Sequence, residues 1–142
     1  MSHVAGLMIE IKNLSKSFDD HKVLDRVNLT IPTGQTMVII GRSGCGKSVL
    51  LKHIIGLLKP DEGSVSIDGV DVTQLSGQSL DKLRMKFGML FQGAALFDSM
   101  TVEENVGFPL REHTTMTSGA ITQRVQECLQ LVGLGHVEEL MP

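Results

Sequence analysis

The chain has 142 residues, 42% of them apolar, and a net charge of −3. That length suits one domain rather than two, and that balance excludes an intrinsically disordered chain. A pI of about 5.9 excludes a strongly basic nucleic-acid binder, and five Phe with no Trp or Tyr leave no stacking platform for single strands, so no nucleic-acid partner is expected.

In chain order, residues 8–11 (MIEI) alternate loosely and read as a strand. Residues 23–31 (VLDRVNLTI) alternate more clearly, with Val27, Leu29 and Ile31 on one face. Residues 32–34 (PTG) form a turn signal, and 36–40 (TMVII) are a continuous apolar run, expected as a strand buried on both faces. A glycine-rich loop follows at 41–46. Residues 47–58 then predict a helix that is apolar nearly all round and therefore buried. Residues 59–63 (KPDEG) predict a turn, and Asp68-Gly69 a type I′ hairpin joining strands at 65–67 and 70–72. A short polar helix is expected over 79–86 and a short apolar strand over 87–91. Thr101 and Glu104 have the spacing of a capping box. Ile121, Val125, Cys128, Leu129 and Val132 recur at helical spacing, predicting an amphipathic helix over 117–131 with Cys128 in the core. The order of elements predicts an α/β fold with an antiparallel β annex.

The two cysteines make no disulfide framework. No apolar run reaches the roughly 18 residues of a membrane span, and MSHVAGLMIEI lacks the regions of a signal peptide. A cytoplasmic chain is expected, one that can still dock on a membrane protein.

Gly41-Arg42-Ser43-Gly44-Cys45-Gly46-Lys47-Ser48 fits G-x-x-x-x-G-K-[ST]. Chance produces such a match in a chain of this length on the order of one time in two hundred at average composition. The context also fits: a strand is expected to end at Ile40 and a helix to begin near Lys47. A phosphate chain needs many donors at short range. Loop amides supply them, glycine lets the backbone approach, and the following helix turns its positive end to the same place. Lys47 is expected to pair the β- and γ-phosphates and Ser48 to coordinate Mg²⁺. Cys45 occupies a free position of the loop. The Asp-x-x-Gly and Asn-Lys-x-Asp elements of GTPases do not occur, so guanine specificity has no support. The five histidines lie at no metal-ligand spacing, so a zinc site is not expected.

Beyond the loop, SKSFDDHKVLDRVNLTIPTGQTMVIIGRSGCGKSVLLKHIIGLLKPDEGSVSIDG is similar to the opening half of the nucleotide-binding subunit of ABC transporters, and FGMLFQGAALFDSMTVEENV resembles its Q-loop region. Within the family, GRSGCGKSVLLKHIIGLLKPDEG and FQGAALFDSMTVEENVGFPLREHT are similar to the Mla/MCE-type phospholipid transport ATPases, the toluene-tolerance group. The resemblance implies a P-loop NTPase cassette core with an N-terminal antiparallel β annex. It also implies ATP and Mg²⁺ as ligands, a transmembrane permease and a second ATP-binding subunit as partners, and a place on the cytoplasmic face of the inner membrane. By the same resemblance Phe18 matches the aromatic that stacks on adenine, keeping the π face and lacking the hydroxyl of the Tyr many members carry. Gln92 matches the Q-loop glutamine that touches Mg²⁺ and the attacking water.

The family's LSGG signature, Walker B strand and switch histidine do not occur in these 142 residues. Leu75-Ser76-Gly77-Gln78 imitates a signature but lies in the variable connector and lacks a glycine. Residues 94–98 (AALFD) imitate Walker B, but Ser99 stands where Glu is expected. The chain is therefore expected to be one partial nucleotide-binding domain over 1–142, truncated before the signature and the Walker B strand. It should bind ATP and hardly hydrolyse it. Two other readings remain at this point: a non-catalytic or unproductive nucleotide-binding chain whose 36–40 strand faces an open apolar edge, and a P-loop kinase with a lid in 64–108.

Overall fold

The alternating residues at the N-terminal end build two long antiparallel strands, β1 (Ile9–Phe18) and β2 (His21–Ile31), paired from Ile9↔Ile31 to Phe18↔His21. The structure, a computed structural model, describes residues 8–91 and 95–142. The chain divides into two units, 1–88 and 89–142.

In the first unit, β1 is much longer than the four residues its pattern suggests. Its register shifts between Ile11 and Leu14, between Leu14 and Lys16, and between Lys16 and Ser17. Asn13 and Arg26 take positive φ angles of 48° and 45°. Their amides donate to side chains instead of a ladder, Asn13 to Asn28 Oδ1 at 2.9 Å and Arg26 to Ser15 Oγ at 3.1 Å. Such bulges shift the two-residue period, which hides the strand's length from a pattern search.

β3 (Glu62–Ile67) pairs with the other edge of β1, and β4 (Val70–Asp71) closes the sheet in the order β2-β1-β3-β4. Asp68 and Gly69 both have positive φ, 50° and 78°, as a two-residue type I′ hairpin requires. β4 stops one residue short of expectation. The Asp71 carboxylate accepts the Thr73 N–H at 2.9 Å and turns the chain into a 3-10 turn, Val72–Gln74.

The sheet packs Ile11, Leu14, Leu24, Val65 and Ile67 against Leu50 and Ile54 of α1 (Lys47–Ile54), with Val72 and Leu83 of α2 (Gly77–Arg84) in the same cluster. Arg84 joins the ends of the two helices, donating to the carbonyls of Ile55 at 3.2 Å and Gly56 at 2.8 Å. α1 is shorter than expected and buries one face only, through Leu50, His53 and Ile54; Leu51 is exposed. Gly56, at φ +67°, ends it.

Two expected strands do not form. Residues 36–40 have no ladder among the described residues, and Val38 and Ile40 are 72% and 91% exposed. Residues 87–91 likewise have no strand, and Leu90 is 88% exposed. A parallel strand exists only through its neighbours, and every ladder among the described residues is antiparallel and belongs to β1–β4.

In the second unit, α3 (Val102–His113) begins with the expected capping box. The Glu104 N–H donates to Thr101 Oγ1 at 3.2 Å, and the Thr101 N–H donates to Glu104 Oε2 at 2.8 Å. α4 (Ser118–Leu131) is capped by Thr117 and buries Ile121, Val125 and Leu129 beside Val102 and Leu110. Cys128 is only partly buried and Val132 is exposed, because the buried stripe follows the four-residue steps from 121 to 129. The Asn105 side chain gathers the turn before α3, donating to the carbonyls of Phe97, Met100 and Thr101 and accepting the Phe97 N–H at 2.8 Å. The described part of the AALFD segment is thus a turn, which removes it as a Walker B strand. Among the described residues no helix is long and apolar enough to cross a membrane.

Candidate functional site

The glycine-rich loop leads into α1, and its shape follows from two glycines. Gly44 and Gly46 have φ of +79° and +98°, which L side chains adopt only under strain. Gly46 is the residue before the helix, and its carbonyl accepts the first helical bond, from the Leu50 N–H at 2.8 Å. It is also buried. A Cβ there would lie 3.0 Å from Leu24 Cδ2, 3.0 Å from Val23 Cγ1 and 3.1 Å from the Val23 carbonyl. The loop therefore rests on β2 by a contact that tolerates no side chain. The Cys45 N–H donates to the Arg42 carbonyl at 3.4 Å and closes the loop on itself.

Lys47 fills the inside of this curl. Its Nζ donates to the carbonyls of Gly41 at 2.8 Å and Arg42 at 2.7 Å, with Cys45 Sγ at 3.7 Å. A cation held on two carbonyls at the mouth of a loop is placed to exchange them for phosphate oxygens, which bind an ammonium more strongly. Ser48 follows in the first turn of α1 and is exposed. An exposed hydroxyl beside the glycine-rich loop is an oxygen ligand of the kind Mg²⁺ takes. The first turn of α1 holds no acidic side chain, so the positive helix end is not neutralised there.

Gly41, Arg42, Cys45 and Lys47 thus converge in one loop, with Ser43 and Gly44 forming its outer turn. Phe18 stands at the end of β1, 41% exposed, with Lys16 Nζ 5.6 Å from its ring centroid. Gln92 lies outside the described residues. Sequence reasoning missed Val23 and Leu24, which carry the loop, and Asp61. The Asp61 carboxylate accepts Lys16 Nζ at 2.7 Å and the Ser17 N–H at 2.7 Å. The Lys16 bond first, then the Ser17 amide, hold its carboxyl below the usual carboxylate range. Asp61 falls in the turn KPDEG, and nothing in that local pattern names a partner so far upstream.

The family profile described as ABC transporter matches residues 24–142. The chain belongs to the ABC transporter family. That membership sets aside the kinase alternative. The chain is 49% identical over 137 residues to the probable ribonucleotide transport ATP-binding protein mkl of Mycobacterium leprae, covering 96% of this chain and 40% of that one. It is 42% identical to the intermembrane phospholipid transport ATP-binding protein MlaF of Haemophilus influenzae, covering 95% and 51%. Among solved structures it resembles the ATP-binding cassette MJ0796 in a dimeric post-hydrolysis state bound to ADP and Pi. There the TM-score is 0.85 and the identity 34%, over 94% of this chain and 61% of that one. The architecture is accordingly that of an ABC cassette core with its N-terminal antiparallel sheet. The chain spans about half or less of the length of these curated relatives.

Proposed function

We propose that residues 1–142 form part of one ABC-type nucleotide-binding domain that holds Mg²⁺–ATP. Gly41 to Ser48 would cradle the phosphates, Phe18 would stack on the base, and Ser48 with Gln92 would hold the metal. Bound Mg²⁺ would neutralise charge between the β- and γ-phosphates. The observation that carries this reading is Lys47 Nζ bonded to the Gly41 and Arg42 carbonyls inside a loop opened by two left-handed glycines. Phosphoryl transfer also needs an oriented water and charge stabilisation on the far side of the nucleotide. The residues matching those roles in the family do not occur here, so the chain binds ATP and turns it over hardly at all.

In its working setting the domain pairs with a second ATP-binding subunit and with a permease, on the cytoplasmic face of the inner membrane. Phospholipid is the cargo we favour. It is supported by the GRSGCGKSVLLKHIIGLLKPDEG and FQGAALFDSMTVEENVGFPLREHT segments and by two relatives named for phospholipid transport, 42% and 36% identical. Other relatives are named for ribonucleotide, iron and methionine transport. Titration calorimetry with ATP and Mg²⁺ tests the site. Binding by the chain that is lost in Lys47→Ala supports it, and binding indifferent to Lys47 refutes it.

The second reading is a non-catalytic or unproductive nucleotide-binding chain. The exposure of Met37, Val38 and Ile40 favours it, since an unpaired apolar segment invites self-association. A monomer with a sharp unfolding transition argues against it.

A further inference from the structure

Asp61 occupies the place where the β1–β3 ladder gives out. The last paired residues are Ser15↔Glu62. Continuing that register would set Ser17 against Pro60, which has no N–H to donate to a ladder. The Asp61 carboxylate takes over as the partner of β1. Its Oδ2 accepts the Ser17 N–H at 2.7 Å, its Oδ1 accepts Lys16 Nζ at 2.7 Å, and its own N–H donates to the Ser15 carbonyl at 3.0 Å. One residue thereby binds three consecutive positions of the strand, 15, 16 and 17, immediately before Phe18.

The Lys16 ammonium is held in turn 5.6 Å from the centroid of the Phe18 ring, within the range of cation–π attraction. Lys16 has a largely covered side chain, so its ammonium is not a freely moving surface charge. The ring is therefore fixed from two directions. Its backbone is pinned through Ser17, and its face is pinned through Lys16. It still keeps enough exposed surface to receive a planar ligand.

We propose that Asp61 is a positioning residue for base recognition: through Ser17 and Lys16 it sets the Phe18 ring in the orientation that stacks on the purine of a bound nucleotide. This rests on the reading of Phe18 as the stacking aromatic. Without Asp61 the ring keeps its chemistry and loses its fixed orientation, so part of the stacking contribution goes to ordering it.

The test compares ATP with inorganic tripolyphosphate, each with Mg²⁺, by calorimetry on the full chain and its variants. The ratio of the two affinities isolates what the nucleoside contributes. Long-range effects of removing a carboxylate act on both ligands and cancel in it. In Phe18→Ala the ratio should fall about fivefold or more, within the range of base–aromatic stacking, and in Asp61→Ala about threefold or more, a part of that contribution. In the double variant the ratio should equal that of Phe18→Ala. If circular dichroism shows Asp61→Ala unfolded, Asp61→Asn carries the comparison, since it keeps an oxygen for Ser17 and loses the charge that holds Lys16. A fall in the ratio for Phe18→Ala with none for the Asp61 variants overturns the proposal and leaves Phe18 standing. An equal loss of both ligands in the Asp61 variants overturns it as well, marking a merely structural role. An unchanged ratio in Phe18→Ala removes the stacking reading and this proposal with it.

Discussion

Gly46→Ala separates the two jobs of the glycine-rich loop. At φ +98° an alanine pays the left-handed penalty, about 1–2 kcal/mol. Its methyl would also stand 3.0–3.1 Å from three atoms of Val23 and Leu24, one of them the backbone carbonyl of β2. That atom cannot rotate away, and crowding of this kind costs about 1–3 kcal/mol. The sum is about 2–5 kcal/mol, which at a urea slope of about 2 kcal/mol per molar lowers the midpoint by roughly 1–2.5 M. Gly44→Ala is the control. Its φ is +79°, but nothing lies within 4 Å of the added methyl, so only the conformational part remains, about 1–2 kcal/mol. Urea unfolding followed by far-UV circular dichroism compares the two variants. The reasoning fails if Gly46→Ala is no less stable than Gly44→Ala, because the packing of the loop on β2 would then carry no energy.

Thr101→Ala should lower stability by about 1 kcal/mol through loss of the α3 cap, read as a shift in the same urea midpoint. The Asp61 carboxyl is held below its ordinary value by Lys16 and Ser17, so its contribution is complete above the unfolded value of about 3.9 and fades as pH falls through the lower folded value. The stability gap between the chain and Asp61→Asn should therefore be constant from pH 7 to about 5 and close at more acid pH; a gap that widens on acidification contradicts the sign. Ile40→Lys should change stability by less than about 0.5 kcal/mol, as exposed substitutions do, and should reduce self-association in sedimentation velocity. A loss of several kcal/mol would show residue 40 buried.

What could be read in the chain alone is what depends on near neighbours. The loop from Gly41 to Ser48, the Asp68-Gly69 hairpin, the Thr101–Glu104 box and the 121–125–129 stripe are each closed within a few residues, so their signal is intact in any short window. β1 was legible only to Ile11, because Asn13 and Arg26 break the period with amides bonded to side chains of the opposite strand. Asp61 was not legible as the partner of β1, because the groups it accepts lie 44 and 45 positions upstream and a KPDEG turn looks the same with or without them. The apolar stripe holds at Ile121, Val125 and Leu129 and is too wide at Cys128 and Val132, because helical spacing alone does not say how broad a face the neighbouring helix covers.

Residues 36–40 failed for a different reason, and the contrast bears on how the loop is held. Their apolar run is the pattern of a strand covered on both faces, yet composition describes only what a segment can bury, not what is present to bury it. The loop that follows nevertheless has its left-handed glycines, its internal Lys47 bonds and a helix start supported by the Gly46 carbonyl. Its visible support is lateral, from Val23 and Leu24 of β2, and α1 is anchored through Leu50 and Ile54 on the antiparallel sheet. The glycine-rich loop therefore takes its shape from β2 and from the antiparallel sheet beneath α1, with no ladder through residues 36–40 among the described residues.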